Sequence, residues 1–223
     1  MELEQIHELI KKLGSRGYRD GSTARRGKLY HPIPFEEFAG CRVHKRNIPQ
    51  EYEIICSNYG DFTDKRVLDI GCANGYYTFK IAQTAKEVIA IEGDQFVYDV
   101  NVAIQQYKNI DNISFRNEYF NECIAEQLEG SFDVGIMMNV HMWIYKQIGD
   151  ERTRTMLETL SEKVKTLYFQ TSHKVSGGMY RVKMLENVDQ VLSYLIECGF
   201  SNTELIQETT KHGGIRALFR CEK

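Results

Sequence analysis

The spacing of apolar residues divides the chain into a short helical segment, a segment without a period, and a long region of alternating strands and helices. Apolar residues recur at helical spacing over residues 3–13 and the pattern stops at Gly14, which predicts a short amphipathic helix that ends there. In residues 14–47 the apolar residues show no regular spacing. A second helix is predicted to begin near Pro49, because proline is favoured in the first turn of a helix.

Beyond residue 64, strand-like apolar runs alternate with helical patterns. The predicted strands are residues 66–70, 87–91, 112–115, 132–138, 164–170, 202–207 and 215–221. Strands separated by helices predict a parallel sheet covered on both faces. The last two strands are joined only by TTKHGG, which is too short for a helical crossover, so they are predicted to pair antiparallel. The predicted fold is α/β, a doubly wound seven-stranded sheet with an antiparallel last strand, preceded by an N-terminal helical and loop extension.

Length and composition predict one domain with an appendage. The 223 residues are 42% hydrophobic and 26% charged, and we divide them into an N-terminal arm, residues 1–48, and a main domain, residues 49–223. No window approaches the roughly 18 apolar residues of a membrane span, and the N-terminus lacks the apolar core of a secretory signal, so we expect a cytoplasmic protein without membrane contact. The six cysteines show neither a CxxC pair nor metal-ligand spacing, so we expect reduced thiols and no metal site.

Positive charge is concentrated in the arm. Residues 11–46 contain ten lysines and arginines but only three acids, although the net charge of the chain is −3. The same segment carries an aromatic cluster, Tyr30, His31, Phe35 and Phe38. One interpretation is a solvated basic segment, and the other is a lid that attracts an anionic ligand to the main domain. A lid would be dispensable for folding.

The stretch RVLDIGCANGYYTF, residues 66–79, ends a predicted strand with a loop of very small side chains. A phosphate-binding P-loop needs Gly-Lys-Ser/Thr, which is absent, and a dinucleotide loop needs a third glycine. Asp69 would also repel a pyrophosphate, so the loop favours a ligand with a positive centre. The predicted loop contacts of that ligand are Gly71, Cys72, Ala73, Asn74 and Gly75, with Cys72 interpreted as a small filler.

A second acid follows the next predicted strand. Glu92, in AIEGD, lies seventeen residues beyond Gly75 and is followed by Gly93. A carboxylate at this position can accept hydrogen bonds from both hydroxyls of a ribose. The alternative is that Glu92 and Asp69 only accept hydrogen bonds from local backbone amides. A ligand with a ribose, a positive centre and no phosphate is S-adenosylmethionine.

The stretches VLDIGCANG, AIEGD and FDVGIMMNVHMW resemble the successive motifs of the class I S-adenosylmethionine-dependent methyltransferases, over roughly residues 50–223. The resemblance implies a Rossmann-like sheet with a final antiparallel hairpin. It also implies cofactor contacts, which are Asp69, Gly71 and Gly75 at the methionine part, Glu92 with Gly93 at the ribose, Asn117 or Glu118 at the adenine edge, and Asn139 after the fourth strand.

Methyl transfer to a hydroxyl or an amine also requires a base unless the acceptor is ionised. The candidate bases are His141, in a loop after the fourth strand, His173, in a loop after the fifth strand, and His31 in the arm. The alternative for His141 is a structural residue packed against Trp143. The predicted acceptor-binding residues are Tyr30, Arg42, Arg46 and Trp143.

The favoured function is O-methylation of a small-molecule or sugar acceptor that bears an anionic group. The arm stretch YHPIPFEEFAG and the ending RALFRCEK resemble methyltransferases of polysaccharide and secondary-metabolite pathways. No Asn-Pro-Pro-Tyr or Asp-Pro-Pro-Tyr motif follows the fourth strand, which disfavours methylation of adenine or glutamine nitrogen. The alternatives are an RNA or nucleotide methyltransferase, a protein methyltransferase, or a noncatalytic cofactor-binding partner. The sequence does not predict the oligomeric state.

Overall fold

The computed structural model of the chain describes residues 1–16, 28–43, 47–175, 185–211 and 214–223. It contains a seven-stranded sheet in the order β3-β2-β1-β4-β5-β7-β6. Rossmann-like architecture with a reversed strand is thereby confirmed. The strands are β1 (Arg66–Ile70), β2 (Glu87–Ile91), β3 (Ile113–Arg116), β4 (Phe132–Met138), β5 (Val164–Val175), β6 (Asn202–Lys211) and β7 (Gly214–Glu222).

Strand directions follow from the lengths of the connections. Helices connect the first five strands, and β1 pairs with β4, β2 with β3, and β4 with β5 in parallel. Strand β7 pairs antiparallel with both β5 and β6, as the short final connection predicts. The β5–β7 register shifts between Ser172 and Lys174, so His173 lies inside β5 at an irregularity of the strand. The prediction that His173 follows the fifth strand in a loop is therefore wrong, because pairing with β7 extends β5 to Val175.

The helices are α1 (Leu3–Arg16), α2 (Ile48–Tyr59), α3 (Tyr76–Ile81), α4 (Gln95–Lys108), α5 (Glu122–Gln127), α6 (His141–Ile148), α7 (Asp150–Lys163) and α8 (Val188–Glu197). Helix α1 continues two residues beyond Gly14, its predicted end. A glycine inside a helix costs only about 1 kcal/mol relative to alanine, so it need not end one. The prediction of a helix near Pro49 is confirmed, with the proline in its first turn.

The chain divides into two compact units. The first comprises residues 1–65 and 72–119, and the second comprises residues 66–71 and 120–223. The predicted boundary between residues 48 and 49 stays a prediction, but the described part of the arm belongs to the first unit. There α1 packs on α4. Several apolar side chains of the arm are at most 6% exposed, and they include Ile6, Ile10, Leu13, Leu29, Ile33 and Phe38.

The second unit contains β1, β4 to β7 and helices α5 to α8. Its core consists of apolar side chains of the strands, such as Phe132, Leu167 and Phe219, together with Leu157 of α7 and Leu195 of α8, all fully buried. Within the described ranges, no helix has the length and apolar character needed to cross a membrane.

Candidate active site

Residues 71–75, the glycine loop, connect β1 to α3, and residues 72–75 of this loop belong to the first unit. The backbone of the loop turns tightly. Ala73 and Gly75 have positive φ angles of 48° and 71°. A left-handed conformation costs an L-residue about 1–2 kcal/mol, so Ala73 is held there by its surroundings. At Gly75 a β-carbon would lie 2.7 Å from the Phe79 ring, which leaves room for glycine alone.

Asn101 on α4 is hydrogen-bonded to the backbone of this loop. Its side chain is fully buried, and Nδ2 donates a hydrogen bond to the Ala73 carbonyl at 2.7 Å. Asn101 is not among the residues predicted from the motifs. The signal that could have identified it is a polar side chain among the buried positions of α4, which include Val97, Val100 and Ile104. Asn101 therefore stabilises the strained conformation of Ala73 by a contact outside the motif.

Glu92 directly follows β2, and its carboxylate faces the loop. Oε2 accepts a hydrogen bond from the Ala73 N–H at 2.9 Å, and Oε1 accepts one from the Asp94 N–H at 2.8 Å. Burial raises the pKa of the Glu92 carboxyl, and these backbone donors oppose the rise. A carboxylate has about four acceptor sites, so these backbone donors do not occupy all of them. The two interpretations of Glu92, a local acceptor and a ribose ligand, are therefore compatible.

Asn117 and Glu118, after β3, have different environments. The Asn117 amide donates to the Glu92 carbonyl at 2.9 Å and so supports the turn after β2. In contrast, Glu118 Oε2 is buried and has no hydrogen-bond partner within the described part of the chain. Of the two predicted adenine contacts, Glu118 is the one with a buried oxygen that has no hydrogen-bond partner among the described residues. At Gly93, a β-carbon would lie 2.4 Å from the Tyr119 ring, so glycine permits this close packing.

Asn74 connects the glycine loop to the arm. Its side-chain oxygen accepts hydrogen bonds from the Tyr30 N–H at 2.9 Å and from the His31 N–H at 3.1 Å. Asn74 is fully buried. Its predicted role as a cofactor contact stays untested, but its carboxamide oxygen already accepts two backbone donors.

The aromatic residues of the arm pack against α3. The Tyr30 and His31 rings stack with centroids 4.7 Å apart, and the His31 ring meets the edge of Tyr77 at 5.9 Å. The Tyr77 hydroxyl donates to Glu51 of α2 at 3.2 Å, and the Glu51 side chain is 3% exposed. His31 and Tyr30 were predicted from the sequence, whereas Glu51 was not, because its helix shows no motif.

The second unit contains the other predicted cofactor contacts, at the ends of β1 and β4. Asp69 is buried and lies opposite Ile136 in the β1–β4 register. A β-carbon on Gly71 would lie 2.6 Å from Val140 Cγ2, so glycine allows the segment after β4 to approach. Asn139 has a positive φ of 58°, and its side-chain oxygen is buried without a partner in the residues described. The roles of Asp69, Gly71 and Asn139 as cofactor contacts stay predictions.

His141 begins α6 and is completely buried, rather than lying in a loop. Its ring packs against Phe169 at 5.0 Å and lies 3.5 Å, nitrogen to oxygen, from the Tyr194 hydroxyl. Burial lowers the pKa of His141 to about 3. A general base works best with a pKa near the operating pH, so this environment favours a structural role.

The remaining predicted residues have separate positions. Trp143, also on α6, is half-buried and lies under Lys146, whose Nζ is 5.8 Å from the ring centroid. Arg42 is exposed, and Arg46 lies outside the described residues. The His173 side chain is likewise not described. All six cysteines are free thiols, and no cluster of potential metal ligands occurs in the described ranges.

The family of the chain is shown by sequence comparison. A methyltransferase domain model matches residues 61–211, which contain the glycine loop, Glu92 and His141. The chain therefore belongs to the methyltransferase domain family and is a class I S-adenosylmethionine-dependent methyltransferase, as the motifs predicted. S-adenosylmethionine is accordingly its cofactor.

Individual relatives are distant. The O-antigen chain terminator bifunctional methyltransferase/kinase WbdD of Escherichia coli is 24% identical over 160 residues, which are 70% of this chain and 22% of WbdD. A probable cobalt-precorrin-6B C(15)-methyltransferase of Methanococcus vannielii is 28% identical over 179 residues, which are 75% of this chain and 81% of that protein. The chain thus spans about a fifth of the length of WbdD.

Solved structures share the fold. A structure of WbdD superposes with a TM-score of 0.77 at 20% identity and covers 97% of this chain, while this chain covers 41% of it. The N-terminal domain of EvdMO1, crystallised in the presence of SAH and D-fucose, superposes with a TM-score of 0.68 at 12% identity, covering 100% of this chain and 97% of the domain.

Proposed function

We propose that the chain transfers the methyl group of S-adenosylmethionine to a hydroxyl oxygen of a small-molecule or sugar acceptor that bears an anionic group. The observation that carries this proposal is the pair of hydrogen bonds from Tyr30 and His31 to Asn74. They hold an aromatic, cation-bearing arm against the cofactor loop. Sites for small molecules combine aromatic walls with a few polar groups, and the arm supplies both.

The residues of the first unit fit the cofactor. The Glu92 carboxylate is oriented by the Ala73 and Asp94 N–H groups and has acceptor sites left for ribose hydroxyls. The unpartnered Glu118 oxygen matches the exocyclic amine of adenine. When bound, S-adenosylmethionine supplies an electrophilic methyl group on a sulfonium.

The arm's part in the reaction is to position the acceptor and exclude water. Methyl transfer is an in-line displacement, so holding the attacking atom on line supplies much of the rate. Tyr30 is half-buried and can contact an acceptor, whereas His31 is almost fully buried beside it. Among the predicted bases we favour His31, because its backbone is bound to the glycine loop and because the pKa of His141, about 3, makes that residue a weak base.

Two of the similar proteins, WbdD and EvdMO1, support a sugar-related acceptor. WbdD is named for action on an O-antigen chain, and the EvdMO1 domain was crystallised with D-fucose and with SAH, the demethylated product of S-adenosylmethionine. These are properties of those proteins. They favour a carbohydrate acceptor for this chain over RNA or protein.

The test is methyl incorporation. The chain is incubated with S-adenosylmethionine carrying a labelled methyl group and with separated small-molecule, glycan, RNA and protein fractions of a cell extract. We expect a labelled small-molecule or glycan product, identified by mass spectrometry, that His31→Ala strongly reduces and the exposed control Lys86→Ala does not. Label in the RNA or protein fraction alone would contradict the proposed acceptor class.

A further inference from the structure

A cavity in the arm is bounded by two cations that are far apart in the sequence. The Leu29 N–H donates to the Arg42 carbonyl at 2.8 Å, and Leu29 forms an isolated parallel bridge with Val43. This pairing brings Lys28 next to Arg42. The cavity has a volume of about 470 Å³, within the range of about 300–1,000 Å³ typical of ligand sites. Its described lining residues are Lys28, Pro32, Ala39, Gly40, Cys41, Arg42, Val43 and Pro49.

The electrostatics of this cavity favour an anion. Lys28 and Arg42 are the charged residues among its described lining, and no acid is present there. Neither cation has an ion-pair partner within the described ranges. Burial raises the pKa of the Cys41 thiol, so the cysteine adds no negative charge at neutral pH. The remaining described lining is apolar or glycine, which would strengthen the attraction between the cations and an anion.

A neighbouring cavity provides an internal comparison. It has a volume of about 310 Å³ and shares Cys41 and Arg42 with the first cavity, but its lining also includes Glu8 and Lys11. These two form an ion pair at 3.5 Å. The acid lowers the positive potential of the second cavity, so the first one is the better anion site.

The first cavity also adjoins the cofactor loop through the chain itself. Pro32 lines the cavity, and the preceding residue, His31, donates its N–H to Asn74 of the glycine loop. Consecutive Cα atoms are about 3.8 Å apart, so the cavity wall begins one residue from this hydrogen bond. The wall of the cavity is therefore connected to the glycine loop by one residue and one hydrogen bond.

We propose that the cavity between Lys28 and Arg42 binds the anionic group of the methyl acceptor, a phosphate or a carboxylate, and so sets the specificity of the enzyme. Arg42 can donate two parallel hydrogen bonds to such a group, and Lys28 contributes a second positive charge. This inference rests on the proposed function, because it assigns the anionic part of the same acceptor.

The experiment measures binding by calorimetry to the full chain saturated with S-adenosylhomocysteine. The probes are a hexose phosphate, the corresponding neutral hexose and inorganic phosphate. We expect the hexose phosphate to bind more tightly than either of the others. The double variant Lys28→Ala/Arg42→Ala should lose at least about tenfold in affinity for the hexose phosphate, since charged hydrogen bonds contribute about 1.5–3 kcal/mol each.

Two further variants separate charge from structure. Lys28→Arg keeps the positive charge and leaves Arg42 unchanged, so it should retain most of the affinity. Lys86→Ala removes an exposed lysine of the same unit that does not line the cavity, and it should change nothing. Equal hexose phosphate affinity in the wild type and the double alanine variant would overturn the proposal. Equal affinity for inorganic phosphate and hexose phosphate would also overturn it, because the cavity would then be a site for free anions.

The same samples separate failure of this inference from failure of the proposed function. The double alanine variant should bind S-adenosylhomocysteine as the wild type does, since the side chains of Lys28 and Arg42 form no hydrogen bond or ion pair with Glu92 or the glycine loop in the described part of the chain. If small-molecule methylation is found but is equally fast in the double variant, the cavity assignment is wrong and the proposed function stands. If the methyl label enters only RNA or protein, the proposed function fails and this inference fails with it.

Discussion

At the scale of single residues, Glu92 is the proposed connection between the fold and the cofactor. Its two oxygens bind the Ala73 and Asp94 N–H groups, so the loop fixes the orientation of the carboxylate before any ligand arrives. Such preorganisation lowers the entropy lost on binding. Substituting Glu92 should therefore affect both the loop and the ligand, and the two effects have to be measured separately.

The first prediction is that Glu92→Ala weakens S-adenosylhomocysteine binding by at least about tenfold, because each lost charged hydrogen bond to the ribose is worth about 1.5–3 kcal/mol. Calorimetry gives the affinity, and urea unfolding shows whether the variant remains folded. Glu87→Ala, at the other end of β2, is the control. An affinity equal to that of the wild type would remove Glu92 from the site.

The second prediction concerns the adenine edge. If Glu118 accepts a hydrogen bond from the adenine amine, the wild type should reject the inosine analogue of S-adenosylhomocysteine, which lacks that amine, by at least about tenfold, since a buried acceptor left unpaired costs about 1–3 kcal/mol. Glu118→Ala should bind both ligands similarly. Asn117→Ala should keep the discrimination, because Asn117 acts through the Glu92 carbonyl. Persistent discrimination in Glu118→Ala would argue against this contact.

The third prediction is that His141 makes stability depend on pH. In the folded chain the pKa of His141 is about 3, and in the unfolded chain it is about 6.5. The unfolded state binds the extra proton between these values, so the free energy of unfolding falls as the pH falls, by up to about 1.4 kcal/mol per pH unit. His141→Phe should flatten this slope in urea unfolding between about pH 6 and 4. Parallel slopes for the two proteins would mean that His141 is not buried in the neutral form.

The sequence predicted residues that lie inside the motifs, but it did not predict the residues that contact them. Asp69, Glu92 and Gly75 could be selected because spacing along the chain determines which strand end they occupy. Asn101 and Glu51 could not, because their importance arises from tertiary contacts with Ala73 and Tyr77. The burial that lowers the pKa of His141 likewise could not be predicted from the sequence.

At the scale of elements, the junction between the arm and the glycine loop is the feature that joins two distant parts of the chain. The hydrogen bonds from Tyr30 and His31 to Asn74 join residues more than 40 positions apart and are accepted by a single oxygen. Removing the Asn74 oxygen should cost more free energy than the net contribution of the two hydrogen bonds to stability, because it leaves the N–H donors of Tyr30 and His31 unsatisfied.

The fourth prediction is that Asn74→Ala removes the protection of the Tyr30 and His31 amides from hydrogen exchange, while Asn74→Asp, which keeps an acceptor oxygen, preserves it. Amide exchange reports opening of the hydrogen bond directly. The measurement is exchange followed by mass spectrometry of peptides that cover residues 28–35. The amides of β4 serve as the internal control and should not change. Unchanged protection in Asn74→Ala would mean that this contact does not hold the arm.

Strand and helix positions were predictable because the apolar pattern changes period from element to element. The paired extension of β5 to Val175 was not, because it depends on β7, about 40 residues later. The reversed direction of β7 was predictable, since its connection to β6 is too short to cross the sheet. Local spacing thus predicted the elements, and long-range pairing determined their ends.

At the scale of the whole molecule, the described part of the arm belongs to the first unit. Ile6 and Leu29 are almost fully buried, and α1 packs on α4, which follows the turn that contains Glu92. Burying an aliphatic side chain contributes about 1.5–3 kcal/mol, so several of them amount to much of the 5–15 kcal/mol that stabilises a typical domain. The expectation that the arm is dispensable for folding therefore conflicts with its packing.

The fifth prediction follows from that packing. Ile6→Ala should lower the free energy of unfolding by about 2–5 kcal/mol, because it creates a cavity between α1 and its neighbours. Glu4→Ala, on the exposed side of the same helix, should change it by less than about 0.5 kcal/mol. Removal of residues 1–47 should then destabilise the chain and weaken S-adenosylhomocysteine binding, as measured by urea unfolding and calorimetry. If the truncated chain instead keeps wild-type stability and cofactor affinity, the prediction is wrong and the arm is an independent lid. In that case the decrease in turnover caused by the truncation would measure the contribution of the arm to catalysis.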